Sequence, residues 1–210
     1  MVDMQPSVLK PQDVAIALKI LLLENQEDLT EDSILQTWTL AQLAKATHIS
    51  IGKVHNAISR LKESRLIRSE RRQINRHALE EFLIHGARYA FPAKRGSAIR
   101  GLPTAYAAPA LKEQFVMAEQ ETPVWPYIEG TVRGIAFSPL YKKAPEAALE
   151  DRKFYELLAI KTFYAAIFVP ENGIWRRNFC RLCWPKVCPQ TVPNFCESKN
   201  DPWLMSILSL

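Results

Sequence analysis

TLAQLAKATHISIGKVHNAISRLKESRLIR, residues 39–68, is the stretch that decides how this chain is read. Leu40, Leu43 and Ala44 recur at helical spacing, so a first short segment has one apolar face. In a second, Ile51, Val54, Ile58 and Leu61 fall at i, i+3, i+7 and i+10, a single apolar stripe along a helix. Thr47-His48-Ile49 joins the two, and Ser50 stands where an N-cap belongs. Its hydroxyl is expected to satisfy one orphan amide of the first turn, at a cost of about 1 kcal/mol if replaced by Ala.

The other side of the second helix carries Gly52, Lys53, His55, Asn56, Ser59, Arg60 and Lys62, with Glu63 its only acid. Short polar and basic side chains of this kind hydrogen-bond base edges in a major groove. Gly52 removes bulk near the N-terminal end, which approaches the bases in helix-turn-helix docking. The pattern Leu43-Ala44, Ile49-Ser50, Val54, Ile58, Leu61 and Leu66-Ile67 resembles the winged helix-turn-helix of MarR-like bacterial and archaeal regulators, over about Val14 to Gln73. The resemblance implies a recognition helix at 50–63 and a wing at 66–74. The wing is short, because only Ser69, Glu70, Arg71 and Arg72 separate Leu66-Ile67 from Gln73-Ile74.

Charge is distributed in the same sense. Residues 1–44 hold two Lys against seven Asp or Glu, and residues 45–100 hold thirteen Lys or Arg against four Glu. The remaining residues are nearly balanced, at twelve against eleven, and the whole chain of 210 residues carries +5. A focused positive potential attracts phosphate and makes binding salt-dependent. Arg65, Arg68, Arg71, Arg72 and Arg76 would clamp phosphates beside the helix, which sets register without reading sequence. Arg88, Lys94, Arg95 and Arg100 form a second cluster, open to an extended footprint or to an acidic partner.

Around this core, Pro11 opens a helix over 11–25 whose apolar residues suit either a core helix or half of a dimer face. Residues 25–33 read as an acidic loop, and 34–38 as a short strand or extended lead-in. Asn75 caps a helix expected over 76–89, closed near Phe91-Pro92. Residues 92–140 are rich in Pro and Gly with interleaved aromatics, which predicts ordered, irregular packing with a short strand at 132–137. PTAYAAP (103–109) and PVWPY (123–127) read first as core and interdomain packing, second as partner anchors. A helix is expected from Pro145, burying Leu149, Phe154, Leu157 and Leu158.

All four cysteines lie late in the chain, at Cys180, Cys183, Cys188 and Cys196. The leading C-x2-C pair suits one edge of a tetrahedral thiolate site, so a structural zinc stapling the tail stands beside reduced free thiols. His48, His55, His77 and His85 do not cluster with them. No nucleophile elbow, phosphate-cradling glycine loop, metalloprotease helix or dinucleotide fingerprint is present, and no catalytic residue or enzyme activity is expected. No apolar run approaches the roughly 20 residues of a membrane span. The N-terminus does not read as a signal peptide, and the expected location is cytoplasmic.

The sequence thus predicts a mainly α protein of the α+β class. A winged helix-turn-helix domain over 1–91 is followed by an irregular and helical packing or partner-binding region over 92–174 and a Cys/Trp-containing tail over 175–210. The expected function is sequence-specific regulation of transcription, as a repressor binding double-stranded DNA as a homodimer without a cofactor. Lys53, Asn56, Ser59 and Arg60 would read bases, with Gly52 and His55 at the same interface. Ser50, Arg68, Arg71 and Arg72 would hold phosphates. The alternative is an antitoxin or regulatory subunit, whose residues 92–210 bind a partner protein while the winged helix autoregulates its operon.

Overall fold

In a computed structural model, residues 8–26, 38–68, 70, 72–109, 111–112 and 122–166 are described. The expected lead-in strand over 34–37, Arg71 and the cysteine-containing tail lie outside them. The described residues mix helices with two small sheets, the α+β class expected.

The helix α1, Pro11–Gln26, packs against the second and third helices, the second hairpin strand and the last helix. From Val14 to Leu22 each residue is buried, Lys19 included. A helix whose apolar residues spread around nearly all its sides has little solvent face to offer, so it lies inside. Of the two roles open to this segment, core helix is the one it takes within a single chain. Its three buried ionisable residues address three different elements. Asp13 meets the third helix, Glu24 accepts the Ile74 backbone amide at 2.9 Å, and Lys19 reaches Asp151 at 2.6 Å. Burial pushes the Glu24 carboxyl above its ordinary pKa, against the opposing pull of that amide and of Arg76.

Against α1 lie α2, Leu40–Thr47, and α3, Ile51–Glu63, joined by three residues. Thr39 caps α2 in a reciprocal box: its hydroxyl accepts the Gln42 amide at 3.2 Å, and Gln42 Oε1 accepts the Thr39 amide at 2.8 Å. His48 ends α2 in the left-handed region at φ 53°, and the Ile49 amide reaches back to the Ala44 carbonyl. Ser50 does occupy the N-cap of α3 with extended backbone, but its side chain makes no capping hydrogen bond, contrary to expectation. The buried stripe of α3 is Val54, Ala57, Ile58 and Leu61. Ile51, assigned to that stripe by spacing, is 53% exposed, because it precedes the turn at which the helix meets α1 and α2.

A two-stranded antiparallel hairpin follows, β1 (Ile67–Arg68) and β2 (Gln73–Ile74). Asn75 then caps α4, Arg76–Glu81, accepting the Ala78 amide. The expected single helix is interrupted: a wider π turn at Phe82–Gly86 precedes α5, Ala87–Ala90. The Phe82 ring lies against Gly86, where a Cβ would come within 2.9 Å.

The Pro/Gly-rich region forms a small closed sheet rather than an irregular wrap. The strand β3, Arg95–Pro103, pairs antiparallel with β5, Val132–Phe137, over its first part and with β4, Pro123–Pro126, over its end. Parallel pairing of β4 with β5 closes the ring. Closure on so few strands needs backbones in near contact. At Gly101 a Cβ would sit 2.0 Å from the Trp125 carbonyl oxygen, and at Gly134 2.0 Å from that of Thr122.

Trp125 is fully buried, and Tyr106 nearly so, as the packing reading of both aromatic segments requires. Two helices complete the unit, α6 (Ala144–Glu150) and α7 (Arg152–Ala166), where one was expected. They break at Asp151, which is extended; its carboxylate takes Lys19 and accepts the Phe154 amide at 3.1 Å. Leu149, expected inside, is 53% exposed on the last turn of α6. The helix α7 seals the closed sheet: the Tyr155 hydroxyl donates to the Pro103 carbonyl, and Trp125 Nε1 donates to Thr162 Oγ1 at 3.3 Å. Among the described residues no helix is long and apolar enough to cross a membrane.

Candidate nucleic-acid interface

With Val54, Ala57, Ile58 and Leu61 buried, the opposite side of α3 is fixed by geometry alone. Gly52, Lys53, His55, Asn56 and Ser59 are all exposed there. A Cβ built on Gly52 meets nothing within 4 Å, so the start of the helix is open. Exposed Ile51 adds an apolar side chain to that end of the helix. Ser50 is exposed beside them at the turn, its hydroxyl not engaged in a cap.

Arg60 is a correction. It does not face solvent with Lys53 and Asn56 but forks onto Asp13, with Nε on Oδ2 and Nη2 on Oδ1, each at 2.7 Å. The Asp13 side chain is 0% exposed and the Arg60 side chain 13%. Hydrogen bonding to Asp13 pushes the already high pKa of the guanidinium further up, so it is charged at any working pH. With its Nε/Nη2 edge taken by Asp13 and its side chain only 13% exposed, Arg60 joins α3 to α1 rather than projecting with Lys53 and Asn56. No pattern in the sequence separates it from Lys53: seven residues apart, the two lie within about 20° on the helix surface. Only the position of Asp13, 47 residues earlier, distinguishes them.

The arginines of the hairpin also divide. Arg68 is exposed on β1. Arg72 is half-buried, at φ 52°, with its guanidinium 4.7 Å from the centre of the Trp38 ring. Trp38 is 2% exposed, so this stacking ties the hairpin to the lead-in of α2. Arg65 is exposed at the left-handed residue before β1, φ 59°. Arg71, a phosphate candidate, lies outside the described residues.

At the turn, His48 Nε2 lies 3.0 Å from the Glu150 carboxylate, linking the α2–α3 connection to the end of α6. That contact, the Asp13 fork and the Trp38 stack carry no local signal, since each joins residues far apart in sequence. Cys180, Cys183, Cys188 and Cys196 lie outside the described residues. Among those described, no group of three His, Cys, Asp or Glu is placed to hold a metal ion. Compared with protein-family models, with curated proteins and with solved structures, the chain gave no match in any of the three.

Proposed function

We propose that this chain is a winged helix-turn-helix protein that binds duplex DNA sequence-specifically and represses transcription. In this reading α2 and α3 are the helix-turn-helix, β1–β2 is the short wing, and α3 enters the major groove. Lys53, Asn56 and Ser59 read bases; Ser50 and Arg68 hold phosphates, with Arg71 alongside; Gly52 and His55 border the contact. Arg60 ties α3 to α1 through Asp13, and Arg72 positions the wing through Trp38. One observation supports this most: α3 is anchored by its apolar stripe and by Arg60, while its polar, Gly52-opened side is exposed.

A single helix covers only a half-site, so a homodimer reading two half-sites about a helical turn apart is part of the proposal. Gly52→Ala gives a sharp test. It adds a methyl group in open space within a helix, and should raise stability by about 0.5–1 kcal/mol. If α3 approaches bases closely there, the same variant loses affinity for the selected operator. A gain in melting temperature with unchanged DNA affinity would remove α3 as the reading element.

The second reading, a regulatory subunit with a protein partner, draws support from Ile128, 99% exposed after β4, and from the exposed Leu149. Ile128→Asp should then abolish a stoichiometric complex with the operon's partner protein and spare operator binding.

A further inference from the structure

The strongest unassigned feature is a pair of like charges. Arg100 and Arg133 are direct partners across the antiparallel β3–β5 ladder. Directly opposed residues project from the same side of a sheet, with Cβ atoms about 5 Å apart, and like charges there destabilise it. Both are exposed, and neither has an ion-pair partner among the described residues.

One member of the pair, Arg100, shares a groove with the α2–α3 turn. Arg100 lines a groove of about 970 Å³ whose wall also includes His48, three residues before α3 begins, and Lys142. The groove's carboxylates are already engaged: Glu146 by Lys143 at 2.7 Å, Glu150 by His48 at 3.0 Å, and Glu129 by the Tyr127 hydroxyl at 3.2 Å. An acidic peptide filling the groove would have to pass these three carboxylates. Arg133 lies outside the groove lining and is exposed, so a duplex backbone can reach the arginine pair without entering the groove.

We infer that Arg100 and Arg133 together clamp one backbone phosphate of the duplex, flanking the bases that α3 contacts. This rests on the DNA-binding reading. It assigns the closed sheet a task the α2–α3 unit cannot perform: fixing the angle of the helix in the groove from a second point. Two converging forks suit one phosphate, whose oxygens accept several charge-assisted hydrogen bonds.

The test uses the full chain, a random-sequence duplex of about three helical turns and a salt series. Arg100→Ala/Arg133→Ala should lower the slope of log K against log salt by about 1, the amount one lost phosphate contact releases. Its melting temperature should not fall. Arg133→Glu should lower the slope as well, and raise the melting temperature by about 1–3 °C by turning a cross-strand repulsion into an attraction. Lys112→Ala/Arg152→Ala removes two exposed charges elsewhere and should leave the slope unchanged. An unchanged slope in the Arg100/Arg133 variants, or an equal drop in the control, overturns the clamp while leaving α3 as reader. Loss of poly-glutamate binding with intact duplex binding overturns it in favour of an acidic protein partner. Absence of any salt-dependent duplex binding by the wild-type chain overturns both the clamp and the reading beneath it.

Discussion

The region from α1 to β2 and the region from β3 to α7 solve the same problem with different means. In the first, helices converge on one buried helix, and the charges it carries inside are matched within hydrogen-bonding distance. In the second, three short strands close on themselves because glycines let backbones nearly touch, and α7 covers the result. Its most deeply placed cation, Lys161, has no carboxylate partner among the described residues; its Nζ donates to the Phe91 carbonyl at 2.8 Å, and burial pulls its pKa down to about 8. One region therefore depends on paired charge, the other on small residues and a carbonyl. Side chains that look equivalent in sequence should fail for different reasons in the two.

The largest effect is expected at the first region's buried pair. Arg60→Ala leaves the Asp13 carboxylate inside without its charged partner, holding only the Lys10 amide, and should cost about 3–5 kcal/mol. Asn56→Ala, on the exposed side of the same helix, should change stability by less than about 0.5 kcal/mol. Urea titrations of both variants give the contrast, and equal midpoints would show that the Asp13 fork contributes nothing.

Next comes the unmatched cation of the second region. Below pH 8 Lys161 is protonated in both folded and unfolded chains, and the penalty of burying its charge is complete. Between about pH 8 and 10 the folded chain has released a proton that the unfolded chain still holds, so stability should rise by about 2–3 kcal/mol. Above about pH 10 the gain is opposed by Tyr141 and Tyr155, whose hydroxyls burial holds protonated in the folded state. Lys161→Met should be more stable than wild type at pH 7 and lack this rise; thermal melts across the window measure both.

Gly101→Ala forces a methyl group onto the Trp125 carbonyl and should cost about 1–3 kcal/mol or more. Survival of the variant with an unshifted melting temperature would show that the closed sheet has slack. The smallest contrast lies at the two helix starts: Thr39→Ala should cost about 1 kcal/mol, and Ser50→Ala less than about 0.5 kcal/mol, since only the first side chain makes a cap.

The two regions were also unequally legible. Period-3.6 patterning located α1 and α3, and the helix from Asn75 except for its π turn, because burying an apolar stripe is a local consequence of spacing. Strand β5 was visible as 132–137, yet its closure with β3 and β4 was not, because the signal lies in glycines that matter only where another strand arrives. The capping box at Thr39 is a local signal, Thr-x-x-Gln at 39–42. Ser50 matched the capping preference without making the bond. Leu149 had the right residue type for a core, but the break at Asp151 turned its helix before that face could be covered. Within the candidate interface, Gly52, Lys53, His55, Asn56 and Ser59 are exposed as their spacing against the stripe required, whereas Arg60 and Arg72 were claimed by Asp13 and Trp38.

By itself, then, the sequence determined most of the apolar stripe of α3, where the helices of the first region begin, and that positive charge gathers between residues 45 and 100. Those properties depend on near neighbours along the chain. Tertiary structure alone decided which cations stay available at the surface, because a buried carboxylate or a packed indole takes a guanidinium from whichever helix or hairpin is folded against it. It also set Arg100 against Arg133, since strand register is a relation between segments and belongs to neither one.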